Sequence, residues 1–192
     1  MMPRSSFQTQ MHPADEDALA LGRLAAGDMG ALGELYDRHA SAVLRFVRRT
    51  SSREDAEDVL QSTFLRLAAS AVRFDSSRSS GRAWIFGVAA HVLRERRRAW
   101  ARFSAALGRL VSDSSPAAPH AGASDASASV DVGRALDRLS DAKRVTFVLV
   151  EVEGFTCEEV AGMLGIPVGT VWTRLHHARK DLRGLLAREV ES

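Results

Sequence analysis

One stretch constrains this chain more than any other: Gly154 to Lys180, G-F-T-C-E-E-V-A-G-M-L-G-I-P-V-G-T-V-W-T-R-L-H-H-A-R-K. It divides into two short helices with a sharp break between them. Thr156 followed by Glu159 forms a capping box at the start of the first, Cys157 to Leu164. Gly165 can end that helix in a left-handed conformation. Pro167 fits only a turn or the first turn of the next helix, which starts near Val168. Val171, Leu175, Ala178 and Leu182 then share one face. The other face carries Trp172, Thr173, Arg174, His176, His177, Arg179 and Lys180. A helix-turn-helix is built this way: its second helix buries one side and points its N-terminal half at the base edges of double-stranded DNA. An ordinary helical hairpin with a solvated basic face obeys the same turn chemistry, so the stretch alone leaves that alternative open.

The bulk numbers bound the rest. A chain of 192 residues makes one or two small domains. Its formal net charge of +2 excludes a global basic field, so the distribution of charge matters more than the sum. Asp15, Glu16 and Asp17 form an acidic segment. Arg94, Arg96, Arg97 and Arg98 form one basic cluster, and Arg174 to Arg188 spans a second. Two local basic faces on a nearly neutral chain suggest two nucleic-acid contacts.

Enzyme chemistry finds little support. The single cysteine, Cys157, excludes an intrachain disulfide and a cysteine-rich metal site. It suits packing beside a helix cap; a redox role would need an exposed, electropositive site. None of the six histidines has metal-ligand spacing, and neither a glycine-rich phosphate loop nor G-x-S-x-G occurs. No metal and no cofactor are therefore expected. No run resembles a signal peptide or a membrane span, so a cytoplasmic protein is expected.

Periodicity predicts an all-α fold of two small helical domains joined by a flexible linker. A polar, disordered tail is expected over 1–13. In the first domain, 14–110, one apolar face holds Leu19, Leu21, Leu24 and Ala25, and Gly27-Asp28 breaks it. Met29, Leu32, Leu35, Tyr36, Val43, Leu44, Phe46 and Val47 form a longer face. Thr50-Ser51-Ser52 is a cap cluster, with Glu54 three residues after Ser51. Ala56, Val59, Leu60, Phe64, Leu65 and Leu67 continue at helical spacing. After a polar loop over Phe74 to Gly81, a helix runs from Arg82 to about Phe103. The segment 111–129 has almost nothing to bury and reads as a linker. In the second domain, 130–192, Val132, Leu136 and Leu139 form a helix. Ser140 caps the next, which Gly154 ends.

Two features of the first domain carry chemistry. Glu54, Asp55, Glu57 and Asp58 crowd a helix start, where acids favour the helix dipole. They read equally well as a solvated helix start or as a docking surface. Then G-R-A-W-I-F-G-V-A-A-H-V-L-R-E-R-R-R-A-W, Gly81 to Trp100, sets aromatics at one end and arginines at the other. That suits single-stranded DNA, with bases stacked on rings and phosphates held by guanidinium groups. Burial of Trp84 and Phe86 in a core helix is the alternative, and for Trp84 it is favoured.

The run D-A-E-D-V-L-Q-S-T-F-L-R-L (Asp55 to Leu67), then R-A-W-I-F-G-V-A and R-E-R-R-R, resembles region 2 of a bacterial sigma factor. The segment from A-L-D-R-L-S-D-A-K-R-V-T-F-V-L through the helix-turn-helix resembles region 4. Both in this order resemble the extracytoplasmic-function (ECF) group of the sigma-70 family. The resemblance implies that Asp55, Glu57, Asp58, Gln61 and Phe64 dock on the β′ clamp helices of core RNA polymerase. It implies that Arg82, Trp84, His91, Arg94, Arg96, Arg97 and Arg98 meet the −10 element, where a base is flipped out of the stack. It further implies that Thr170, Trp172, Thr173, Arg174, His176, His177, Arg179 and Lys180 meet the −35 element. The implied partners are core polymerase, through the clamp helices and the β flap, and promoter DNA. An anti-sigma factor is expected too, since neither an N-terminal autoinhibitory region nor an extra C-terminal domain is recognised. Membrane insertion and a small-molecule substrate are not expected.

This chain departs from the family pattern at four positions. His91 stands where asparagine is frequent, and Gly81 where an aromatic is. Trp172 and His177 stand where basic residues are frequent, which points to an altered −35 preference or fewer phosphate contacts. The competing class is a free-standing helix-turn-helix regulator, which would bind palindromes as a dimer. An all-α nucleic-acid hydrolase would need an acid-base or metal constellation that the sequence lacks.

Overall fold

The computed structural model describes residues 13–51, 56–110 and 129–190. The described residues form eight α-helices and no strand: α1 (Pro13–Ala25), α2 (Met29–Thr50), α3 (Ala56–Ser70), α4 (Gly81–Leu110), α5 (Ser129–Asp137), α6 (Asp141–Phe147), α7 (Cys157–Leu164) and α8 (Val168–Val190). A 3-10 turn, Ala71–Arg73, follows α3, and a π-helical turn, Val148–Val152, extends α6. The expected tail and linker lie almost wholly outside the described residues, as do Ser52, Glu54 and Asp55.

Short local signals set the first boundaries. Gly27 takes φ 96° after α1. The Asp28 amide then reaches back to the Arg23 carbonyl at 3.0 Å, which closes a Schellman turn. The Asp28 side chain at once accepts from the Gly30 amide at 2.9 Å and caps α2. Thr50 lies inside α2 rather than in a cap, with its hydroxyl bonded to the Phe46 carbonyl at 2.7 Å. Ser140 holds the N-cap position of α6 without a side-chain cap hydrogen bond.

Helices α1 to α4 wrap a core of Leu21, Leu35, Phe46, Leu67, Ile85 and Phe86, all fully buried. Four residues of the predicted apolar faces, Leu19, Met29, Tyr36 and Leu65, are exposed instead. On α1 the buried side includes Asp17, made tolerable by His39 and Arg38 of α2. The N-terminal half of α4 is buried nearly all round, which marks it as the central helix. Its C-terminal half continues past the expected Phe103 to Leu110, and Trp100, Phe103 and Leu107 are exposed along it.

Around α8, Ala135, Leu136, Leu139, Ala178 and Leu182 form a second, smaller cluster. Arg144 is buried beside it. Its guanidinium donates to the Asp137 carboxylate at 2.9 Å and to the Asp137 carbonyl at 2.7 Å, closing the turn between α5 and α6. The two groups of helices also meet each other. Val145, Val148, Leu149, Phe155, Val160 and Val171 join the α1–α4 core in one apolar cluster. The Phe155 ring stands edge-on to Phe86 at 5.1 Å between centroids. Gly87 provides the close approach of α4 to α7: a Cβ placed there would lie 3.6 Å from the Cβ of Met163.

Candidate nucleic-acid interface

The turn chemistry of the second unit places its reading helix. The Glu159 amide donates to Thr156 Oγ at 3.1 Å, and the Thr156 amide donates to Glu159 Oε2 at 2.9 Å. That reciprocal box starts α7. Gly165 ends α7 at φ 63°, and the Ile166 amide bonds the Ala161 carbonyl at 3.1 Å. The Pro167 carbonyl then accepts from the Thr170 amide at 2.9 Å, so α8 begins two residues after α7 is capped. Val171, Leu175, Ala178 and Leu182 are buried. Trp172, Thr173, His176, His177, Arg179 and Lys180 are exposed on the other side, with Thr170 and Arg174 half-buried. Trp172 is 57% exposed. The Thr173 hydroxyl bonds back to the Gly169 carbonyl at 2.9 Å, and Arg179 pairs with Glu151. Although adjacent, His176 and His177 bring their rings to 5.6 Å.

On α3, Glu57, Asp58 and Gln61 face outward. Glu57 meets Arg48 at 3.1 Å, and Asp58 lies 3.9 Å from Arg96. Phe64 does not share this face. It is 5% exposed and stacks edge-on with Tyr36 at 4.8 Å, beneath the surface. Leu65 takes the outward position instead, 71% exposed and one turn beyond Gln61. Its place in an apolar run hid it, because helical spacing alone does not separate neighbours at the edge of a stripe.

The third group surrounds Trp84. The Ala83 amide bonds Ser80 Oγ at 3.2 Å and starts α4. The Trp84 ring is half-buried against Phe74, and its indole N–H is buried without an acceptor among the described residues. It forms part of the wall of a cavity of about 670 Å³ between α4, the loop before it and α7. Arg66, Arg73 and Arg78 line the same cavity, three basic groups from separate segments that only the fold brings together. In the loop, the Ser77 hydroxyl and then its amide hold the Asp75 carboxyl below its ordinary range.

His91 lies at this cavity, bonded to Arg94 through Nδ1 at 2.8 Å and to Glu95 through Nε2 at 2.9 Å. Arg94 donates to Nδ1, so Nδ1 accepts and Nε2 donates to the Glu95 carboxylate. Partial burial pushes the Glu95 carboxyl up, but Arg66 and His91 outweigh it and leave the group below its usual value.

The arginine cluster does not act as one patch here. Arg96 turns to α3 and donates to Ser62 Oγ at 2.9 Å. Arg97 bonds the Thr50 carbonyl and lies 3.5 Å from Asp141. Arg94 reaches the Leu164 carbonyl at 3.3 Å. Arg98 is exposed, with no hydrogen bond or ion pair among the described residues. Arg82 is bonded to Glu153 of the second unit.

Comparison with known proteins matches both units. Residues 35–103 fit the family model for sigma-70 region 2, and residues 129–182 fit that for sigma-70, region 4. The ECF RNA polymerase sigma factor SigE of Mycolicibacterium smegmatis is 32% identical over 187 residues, covering 93% of this chain and 71% of SigE. This chain belongs to the ECF sigma factors of the sigma-70 family. Among solved structures, this sigma factor resembles CnrH in complex with the cytosolic domain of CnrY. The TM-score is 0.65 at 28% identity, covering 91% of this chain and 99% of that one. It also resembles the sigma factor RpoE of Bartonella quintana in complex with the anti-sigma factor NepR. There the TM-score is 0.62 at 27% identity, covering 81% and 96%.

As a sigma factor, the protein is a transcription initiation factor and not an enzyme. The α3 face and the Trp84 cavity fall within region 2, and α8 begins within region 4. The region 2 match argues against a free-standing regulator, which has no need of that domain. Among the described residues no helix of this sigma factor is long and apolar enough to cross a membrane.

Proposed function

We propose that this sigma factor binds core RNA polymerase through the outward face of α3, with Glu57, Asp58 and Gln61 at its centre. Leu65 extends that face. The Trp84 cavity takes the flipped base of the −10 strand, with Arg82, His91 and Arg98 near its phosphates. The exposed side of α8, from Thr170 to Lys180, reads the −35 element in the major groove while the second unit contacts the β flap. The protein works in the cytoplasm, where polymerase is, and an anti-sigma factor restrains it.

The observation that supports this reading is the pairing, in one chain, of an outward acidic face on α3 with an outward reading face on α8. A regulator needs only the second. Purified protein is expected to co-elute with core polymerase and to start transcription on genomic template at a limited set of sites, identified by sequencing the transcripts. Tight dimeric binding to palindromic DNA, with no response to polymerase, would overturn it.

A further inference from the structure

The first two turns of α8 hold little that can pair with a base edge. Val171 and Leu175 are buried and set which way the helix faces. At about 100° per residue, Gly169, Trp172, Thr173 and His176 fall on the outward side, and all four are exposed. The one charged residue between Val168 and Leu175 is Arg174. It is half-buried and borders a hollow of about 510 Å³ beside α4, off that outward side.

Thr173 has already engaged its donor. Its hydroxyl donates to the Gly169 carbonyl at 2.9 Å, one turn back along the helix. What remains for a ligand is the γ-methyl and an oxygen that only accepts. Trp172 beside it adds a wide, exposed ring. Successive residues diverge by about 100° on a helix, so the ring and the methyl meet different bases.

In the major groove every base pair shows polar groups, and one base adds an apolar group, the C5-methyl of thymine. Guanine is read by arginine or lysine and adenine by asparagine or glutamine. Gly169, Trp172, Thr173 and His176 include none of these. Set against a carbonyl or an amino group, the indole face would strip its water and return no hydrogen bond. Set against a methyl, it buries apolar area and leaves no polar group unpaired.

We propose that Trp172 and Thr173 make α8 a thymine reader. The indole ring and the γ-methyl each pack on the C5-methyl of a thymine, at two separate positions of the −35 element. Specificity there comes from apolar contact rather than from paired hydrogen bonds. This thymine reading rests on the assignment of α8 to the −35 element. Each methyl contributes roughly three- to fivefold in affinity. One phosphate contact adds about tenfold at low salt, so the methyl shows only against a control that leaves charge unchanged.

Deoxyuridine is that control, since it lacks the methyl and keeps every hydrogen-bonding group of thymine. The full chain, in complex with core polymerase, is used to select duplexes from a random-sequence library. Each thymine of the selected −35 element, on either strand, is then replaced singly by deoxyuridine. Two of these replacements should each weaken binding roughly three- to fivefold. Trp172→Ala should abolish the effect at one position and leave the other. Thr173→Ser, which keeps the hydroxyl and removes only the methyl, should do the reverse. Both side chains are exposed, so both variants should melt as the wild type does. A selected element without thymine overturns the proposal, as does one in which deoxyuridine binds as tightly as thymine throughout. A deoxyuridine effect that persists in both variants belongs to the duplex itself and overturns it too. A library with no sequence enriched in the −35 region overturns the assignment of α8 itself, a result distinct from an enriched element that is indifferent to deoxyuridine.

Discussion

Asp17 Oδ2 lies 2.8 Å from His39 Nε2, with the two side chains only 3% and 8% exposed. Arg38 meets the other carboxylate oxygen, so one acid on α1 is held by two bases on α2. Burial alone would push the Asp17 carboxyl up. The hydrogen bonds from His39 and Arg38 outweigh it and leave the group below its ordinary value. A depressed carboxylate contributes stability that is present above its unfolded value, about 3.9, and is lost as pH falls through the folded value. Thermal melts should therefore show stability falling from roughly pH 5 downward. Asp17→Ala should cost about 3 kcal/mol at pH 7 and flatten that acid dependence, because it strands His39 in the core.

Gly81 is fixed by the same acid. A Cβ there would come within 2.5 Å of Asp17 Cβ and 2.9 Å of the Asp17 carbonyl carbon. Helix α1 would have to retreat. Gly81→Ala should cost about 1–3 kcal/mol in a denaturant titration, with helical content at low denaturant unchanged. This also gives a packing reason for glycine at this position.

Asp58 is exposed and only loosely paired, at 3.9 Å from Arg96. Asp58→Arg should leave the melting temperature nearly unchanged, since exposed pairs contribute little. It should weaken core polymerase binding by about 1–3 kcal/mol through like-sign contact at the docking face. A pull-down titration with equal affinities for both proteins would remove α3 as the docking helix.

On α8, Arg174→Ala should cost about 1–3 kcal/mol on a matched −35 site and much less on a mismatched one, if it reads a base. Trp172→Arg is the opposite kind of change. It adds a cation at an exposed position and should strengthen binding on every sequence, steepening the salt dependence by about one ion. Affinities on two duplexes at two salt concentrations separate these outcomes.

The local devices were legible because they are local. Thr156 with Glu159, Gly165 and Pro167 act within a few residues of chain, and the structure uses each as its chemistry demands. The buried face of α8 was equally readable from spacing. Less legible were residues whose fate depends on a distant partner. Asp17 looked like one of three surface acids until α2 supplied two bases. Leu65 and Phe64 have the same apolar character, yet only the approach of Tyr36 tells which is covered. Arg96 and Arg98 look interchangeable in a basic run, but their directions, two residues apart on a helix, put one on α3 and the other in solvent.

By itself, then, the sequence determined an all-α chain, the helix-turn-helix with its reading face, and the family, since capping, periodicity and motif order are written in neighbouring residues. Tertiary structure alone decided that α7 lies along α4, that three scattered arginines share the Trp84 cavity, and that Glu153 takes Arg82. The first and last of these contacts join residues far apart in sequence, Arg82 and Glu153 being 71 positions apart. Nothing in local propensity distinguishes an arginine free for phosphate from one already held by a carboxylate across the fold.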